Sequence, residues 1–157
     1  MVEQQSLSES QLCLQLAVQA TAAASTAQML KSSDSLYVEA CAALERVEIN
    51  GPIGRTRGIP VELEYIQALL LVVYYEVLRM PQYKYIITAG RAFRLIQISR
   101  LHEIDMEAVP IEEVPGEAFA REEERRRTFW MAYCFDRLFS IRHELPHTLH
   151  EAVSRST

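Results

Sequence analysis

Residues Leu69 to Tyr75 read Leu-Leu-Leu-Val-Val-Tyr-Tyr, and no other stretch restricts the fold as strongly. Apolar side chains on every face of a helix leave no side for water, so such a helix belongs in the middle of a bundle. The apolar run from Ile66 to Tyr75 is flanked by Glu64 and Glu76. It has about half the ~20 residues needed to span a bilayer, so it reads as a core helix. Pro60 or Val61 opens this helix, since proline is tolerated at the first helical position. The sequence Met80-Pro81-Gln82 closes it at Arg79, because proline excludes the helical conformation from the residue before it.

The rest of the chain reads as four further helices and no convincing strand. The first runs from about Glu9 to Lys31. Ser6 and Glu9 have capping-box spacing, and six alanines between Ala17 and Ala27 favour helix and admit a close neighbour. Asp34 is the expected N-cap of a second helix, Ser35 to Val47, with Leu36, Ala40, Ala43, Leu44 and Val47 on one face. A loop rich in glycine and proline covers Asn50 to Pro60. After the Pro81 turn a fourth helix, Tyr83 to Leu101, carries an inner stripe of Ile86, Ala89, Phe93 and Ile96. It forms an antiparallel hairpin with the helix before it, and Gly90 offers room for a neighbouring helix. Residues His102 to Gly116 form a loop, and a fifth helix runs from Glu117 to His143. The predicted class is all-α, a bundle of about five antiparallel helices. At 157 residues the chain is long enough to bury its own core without disulfides or a metal.

The chemistry that composition excludes is broad. Net charge is −5, and neither a basic excess nor a basic stripe is present, which argues against direct DNA binding. Cys13, Cys41 and Cys134 are scattered and odd in number, so they read as packed, reduced thiols rather than a disulfide or zinc framework. Met1 to Ser10 lacks the basic and apolar regions of a signal peptide, and Ser10 to Leu30 is too rich in glutamine for a membrane span. His143 and His147 have the i,i+4 spacing of metal ligands, with His150 nearby, but Pro146 interrupts the helix that spacing requires. His102 has no nucleophile or carboxylate placed to make it a general base, and reads as a helix-end residue.

The most specific segment is Glu123-Glu124-Arg125-Arg126-Arg127-Thr128-Phe129-Trp130-Met131-Ala132-Tyr133-Cys134-Phe135-Asp136-Arg137. Its first half is a charge ladder in which Glu122 and Arg126, and Glu123 and Arg127, are acid-first i,i+4 pairs worth about 0.2–0.5 kcal/mol each. The triple arginine is therefore a self-compensated helix face rather than a phosphate patch. In the second half Phe129, Tyr133, Asp136 and Ser140 share one face, with Trp130, Cys134 and Arg137 beside it. Asp136 thus follows an aromatic stripe into the core. A buried carboxylate needs a partner, and Arg94 on the fourth helix is the expected one.

This segment resembles the Glu-x-Arg-Arg-Arg-x-aromatic-Trp-x-x-Tyr-x-x-Asp-Arg signature of the fungal-specific transcription factor domain, the middle homology region of binuclear zinc-cluster transcription factors. Glu123, Arg125, Arg126, Arg127, Phe129, Trp130, Tyr133, Asp136 and Arg137 match it. A second block, Gly90-Arg91-Ala92-Phe93-Arg94-Leu95 followed by Leu101-His102, is similar to the family's Gly-x-Ala-x-Arg segment ending in Gly-Leu-His, with Ala92, Arg94, Leu101 and His102 matching. The resemblance covers residues 61–146. Two departures stand out: Arg100 takes the place of the glycine before Leu-His, and Glu144-Leu145-Pro146 stands where the family has Gly-Arg-Pro.

The resemblance implies a single, partial regulatory domain over residues 1–157, cut short at its C-terminal end. It implies a nuclear, non-catalytic module with no cofactor of its own. Zinc, and DNA contact with it, would belong to a six-cysteine domain absent from this sequence. The implied partners are proteins or other parts of the same regulator, with no membrane, and some family members take a small-molecule effector in this region. The alternative is a stand-alone remnant or partner protein, of a biosynthetic gene cluster, that binds or antagonises a full-length regulator.

Overall fold

The computed structural model describes residues 7–50, 61–80, 83–104 and 116–149. The expected loop from Gly51 to Pro60, the Pro81-Gln82 turn, and His150 lie outside them, as does Ser6. Among the described residues the fold is all-α with no strand: α1 Glu9–Ala24, α2 Leu30–Asn50, α3 Leu63–Arg79, α4 Lys84–Ile98 and α5 Gly116–His143. Short 3-10 turns cover Ala27–Met29 and Leu101–Glu103. None of these helices is long and apolar enough to cross a membrane. The chain divides into two compact units, residues 1–88 and 89–157.

In the first unit α1, α2 and α3 pack on one another. The cap of α1 is Ser8, not Ser6: its Oγ accepts from the Gln11 N–H, and the Gln11 side chain accepts from the Ser8 N–H. Ser8 Oγ also reaches the Glu62 carboxylate at the start of α3, so α1 and α3 begin at the same end. The Ala-rich run is not one helix. It breaks at Ser25 and Thr26 and restarts through the 3-10 turn into Leu30, which places Asp34 inside α2 rather than at its cap. Asp34 instead binds the far end of α3, where Tyr75 Oη donates to Oδ1 at 2.6 Å and Arg79 Nη2 approaches at 3.4 Å. The start of α2 therefore meets the end of α3, and α2 runs antiparallel to both α1 and α3.

Small side chains set the spacing of this layer. Cys13, Ala17, Ala20 and Ala23 of α1 and Ala40 and Ala43 of α2 are buried, which lets helix axes approach closely. Tyr65, Ile66, Leu69, Leu70 and Val73 of α3 are at most 1% exposed, as a helix apolar on all sides requires. Tyr74 and Leu78 are its exposed large apolar side chains.

A polar seam crosses the same core. Tyr37 stacks on Tyr75 with ring centroids 4.6 Å apart. Its hydroxyl donates to Glu76 Oε1 at 2.7 Å and accepts from Lys84 Nζ at 2.6 Å. Glu76 is fully buried, with Lys84 Nζ 3.7 Å from Oε1. Burial, the Glu76 carboxylate and the neighbouring Cys41 push the Tyr37 hydroxyl far above its ordinary pKa, and burial and Asp34 raise Tyr75. An unfolded tyrosine ionises near pH ~10. The raised groups therefore contribute stability that is complete below that pH and lost as pH rises beyond it. The melting temperature should fall steeply above about pH 10, and Tyr37→Phe should flatten that slope in thermal melts recorded across the range.

In the second unit α5 buries Thr128, Phe129, Ala132, Asp136, Phe139 and Ser140, an i,i+3/i+4 stripe. Ala89, Ala92, Phe93, Leu95 and Ile96 are the buried positions that α4 contributes from residue 89 onward. Gly90 was expected to admit a neighbouring helix. It is exposed instead, and a Cβ added there would meet nothing within 4 Å. The thiols are not uniformly packed either: Cys13 is buried, Cys41 half-buried and Cys134 exposed.

Candidate functional site

The two sequence blocks converge on the chain just past α5. That helix ends at His143 and the backbone turns over at Glu144, which has φ 54°. The Leu145 N–H then donates to the Ser140 carbonyl at 3.1 Å, the six-to-one bond of a Schellman termination. Pro146 follows and bars any continuation of the helix. The chain folds back so that Thr148 and Leu149 lie against α5, with Leu149 1% exposed. His143 and His147 consequently do not share a helix face.

Asp136 is the anchor of this return. Only 2% exposed, its carboxylate accepts the Thr148 N–H at 3.0 Å on each oxygen and the Leu149 N–H at 2.9 Å on Oδ2. Charge-assisted bonds to backbone donors are stronger than neutral ones, and Arg137 Nη1, 4.0 Å from Oδ2, adds a countercharge. Arg137, the next residue, closes the other side: its Nη2 donates to the Leu149 carbonyl at 2.6 Å, and its guanidinium lies 4.3 Å from the Tyr133 ring centroid. A planar cation that stacks on one face and donates along its edge is what arginine offers and lysine does not. The Tyr-x-x-Asp-Arg spacing thus has a physical reading. Asp136 takes the amides of the returning segment, Arg137 takes its carbonyl, and Tyr133 holds the guanidinium flat.

The expected Arg94–Asp136 pair is not formed. Arg94 is exposed and its Nη1 donates to Gln97 Oε1 at 3.1 Å, while Gln97 Nε2 donates to the Thr148 carbonyl at 3.0 Å. Arg94 therefore reaches the same segment through Gln97, a residue that neither block singled out. The hydrogen-bond partners of Asp136 are backbone amides, which no side-chain pattern announces.

The remaining motif residues support the clamp or face away from it. Ala92 and Leu101 are buried. His102 sits in the 3-10 turn with Nε2 3.3 Å from the Glu103 carboxylate. Phe129 is buried and packs edge-on to Trp130 at 5.5 Å and against Tyr133 at 6.0 Å. Trp130 itself is 37% exposed. On the first turns of α5, Glu123 accepts from Arg126 at 2.9 Å and from Arg127 at 2.8 Å, and Glu122 lies 3.6 Å from Arg125. Arg127, then Arg126, hold the Glu123 carboxyl below its ordinary pKa.

The two departures from the family pattern are the two positive-φ non-glycine residues among the described ones. Arg100 (φ 57°) ends α4, and Glu144 (φ 54°) ends α5. The left-handed region costs a residue with a Cβ roughly 1–2 kcal/mol. Arg100 recovers little of this through its exposed pair with Glu103. Arg100→Gly and Glu144→Gly should each raise stability, by up to about 1 kcal/mol, in urea denaturation of the single variants.

Comparison with known proteins follows the same residues. Residues 3–153 match the family described as fungal specific transcription factor domain. A transcription factor of Emericella nidulans is 43% identical over 139 residues, covering 88% of this chain and 20% of the relative. The asperfuranone cluster transcription factor afoA, also of Emericella nidulans, is 40% identical, covering 97% of this chain and 25% of the relative. The citrinin biosynthesis transcriptional activator mrl3 of Monascus ruber is 42% identical over 144 residues, covering 92% and 27%. The chain thus spans between a fifth and about a quarter of the length of these relatives. No solved structure matches. A match over nearly the whole chain, with an all-α fold whose signature residues build one clamp, means that this chain belongs to the fungal specific transcription factor domain family.

Proposed function

We propose that the chain is the regulatory and interaction module of a nuclear fungal regulator that controls a biosynthetic gene cluster. It acts through contacts with proteins or with other parts of the same regulator. It performs no catalysis, holds no cofactor, and leaves zinc-dependent DNA reading to residues outside these 157. The observation that carries this reading is how the signature is used. Asp136, Arg137 and Tyr133, the residues with the most chemistry to offer, are committed to the backbone of residues 148 and 149 and to one another. The net charge of −5 supports the same reading, since phosphate binding calls for a basic surface. The cluster assignment rests on relatives named for asperfuranone and citrinin production.

Two measurements test it together. The isolated chain should give no sequence-specific shift of promoter DNA at physiological salt, and nanomolar specific binding would sink the proposal. Fusion of the chain to an unrelated DNA-binding domain should change transcription of a reporter that carries that domain's site. Output identical to the DNA-binding domain alone, with the fusion present at equal abundance, would count against a regulatory role.

A further inference from the structure

Outside the clamp, α5 carries a second apolar stripe that its own unit leaves open. Trp130, Met131, Leu138 and Ile141 are 37%, 37%, 52% and 77% exposed, and the exposed Cys134 lies among them. At about 100° per residue these five positions fall within roughly 100° of arc. The buried set of α5 is centred roughly 170° away, on the opposite side of the helix. The helix is therefore apolar on two faces, and only one of them is packed in this unit. Isolated exposed apolar residues need no account, but a continuous stripe along three helical turns does.

The geometry points to a second copy of this chain as the occupant, with the two α5 helices antiparallel about a two-fold axis. The register follows from the apolar side chains alone. Aligning the stripe with itself places Trp130 of one copy opposite Ile141 of the other, and Cys134 close to Leu138. Any shift by a turn leaves Trp130 or Ile141 overhanging into water. The charges were not used in setting that register, yet they come out complementary. One turn before Trp130 on this face is Arg127, 78% exposed, and beyond Ile141 is Glu144. Antiparallel pairing brings Arg127 of each copy to Glu144 of the other, twice by symmetry. Among the described residues the Glu144 side chain has no hydrogen bond or ion pair, although a glycine would fit its backbone at lower cost. A role between copies accounts for a carboxylate at that place. The self-association does not depend on the regulatory reading, and either can fail without the other.

Sedimentation velocity on the chain under reducing conditions, from low micromolar to submillimolar concentration, reads this directly. The expected result is a concentration-dependent shift to twice the 18.0 kDa protomer mass. Ile141→Glu, at a site exposed enough to leave the core intact, should abolish the dimer while the far-ultraviolet helical signal is retained. Glu144→Arg should weaken association about tenfold, because the introduced arginine faces Arg127 of the other copy at both ends, and Arg127→Glu with Glu144→Arg should restore it. A monomer at every concentration, or a dimer unaffected by Ile141→Glu, would overturn the proposal. A dimer weakened by Ile141→Glu but insensitive to the charge swap would overturn the antiparallel register.

Discussion

Asp136→Ala is expected to destabilise the second unit by about 3–4 kcal/mol, and to release residues 145–149 from the helix. The argument counts what is left behind. Three bonds from two backbone N–H groups end on this carboxylate. The Leu149 amide is buried, so it cannot turn to water without the segment coming away. Orphaning a buried donor costs about 1–3 kcal/mol, and bonds to a charged acceptor are worth about 1.5–3 kcal/mol each, so the total is set by desolvation as much as by the bonds. Asp136→Asn tests the acceptor requirement. The amide oxygen can still accept one N–H, but the NH2 group then faces another donor, so the variant should lie between wild type and alanine. Urea denaturation gives the free energies, and limited proteolysis should show new cleavage between Leu145 and Leu149. A loss below about 1 kcal/mol for the alanine variant would mean that Arg137 and Gln97 hold the segment without Asp136.

The second large effect belongs to α3. Leu70→Ala should cost about 2–5 kcal/mol, whereas Leu78→Ala, the same deletion two turns along the same helix, should stay near 0.5 kcal/mol. Leu70 is 1% exposed and sits in the helix that α1 and α2 enclose, and Leu78 is 50% exposed. A void opened at so enclosed a position relaxes only in part, and the cavity that remains adds to the lost transfer energy. Equal losses at the two positions in denaturant titrations would show that α3 is not the enclosed member of this layer.

Much of this architecture was legible before any coordinates. The all-round apolar run of α3 forces burial whatever surrounds it, and the stripes of α2 and α4 follow the 3.6-residue period. The break in the Ala-rich run was hidden because Ser25 and Thr26 are weaker punctuation than glycine or proline, and alanine on both sides favours continuation. Asp34 has the side chain of an N-cap, but its carboxylate is taken by Tyr75 and Arg79, which lie more than forty positions on. The site divides the same way. That Asp136 is buried and needs satisfying follows from its place on the aromatic stripe. That its partners are amides of Thr148 and Leu149 could not be read, because every residue but proline carries the same donor. The left-handed turns at Arg100 and Glu144 were visible only as places where glycine was missing.

The distribution of ring chromophores gives the two units separate optical signatures. Trp130, the sole tryptophan, stands in residues 89–157, and six of the seven tyrosines, from Tyr37 to Tyr85, stand in residues 1–88. Indole emission therefore follows the neighbourhood of the clamp, and tyrosine absorbance follows the three-helix layer. Heating one sample while recording both reads the coupling between the units as the gap between two midpoints. Superimposed curves mean that the chain unfolds as one cooperative block, and separated curves mean that the layer and the clamp can be regulated one at a time.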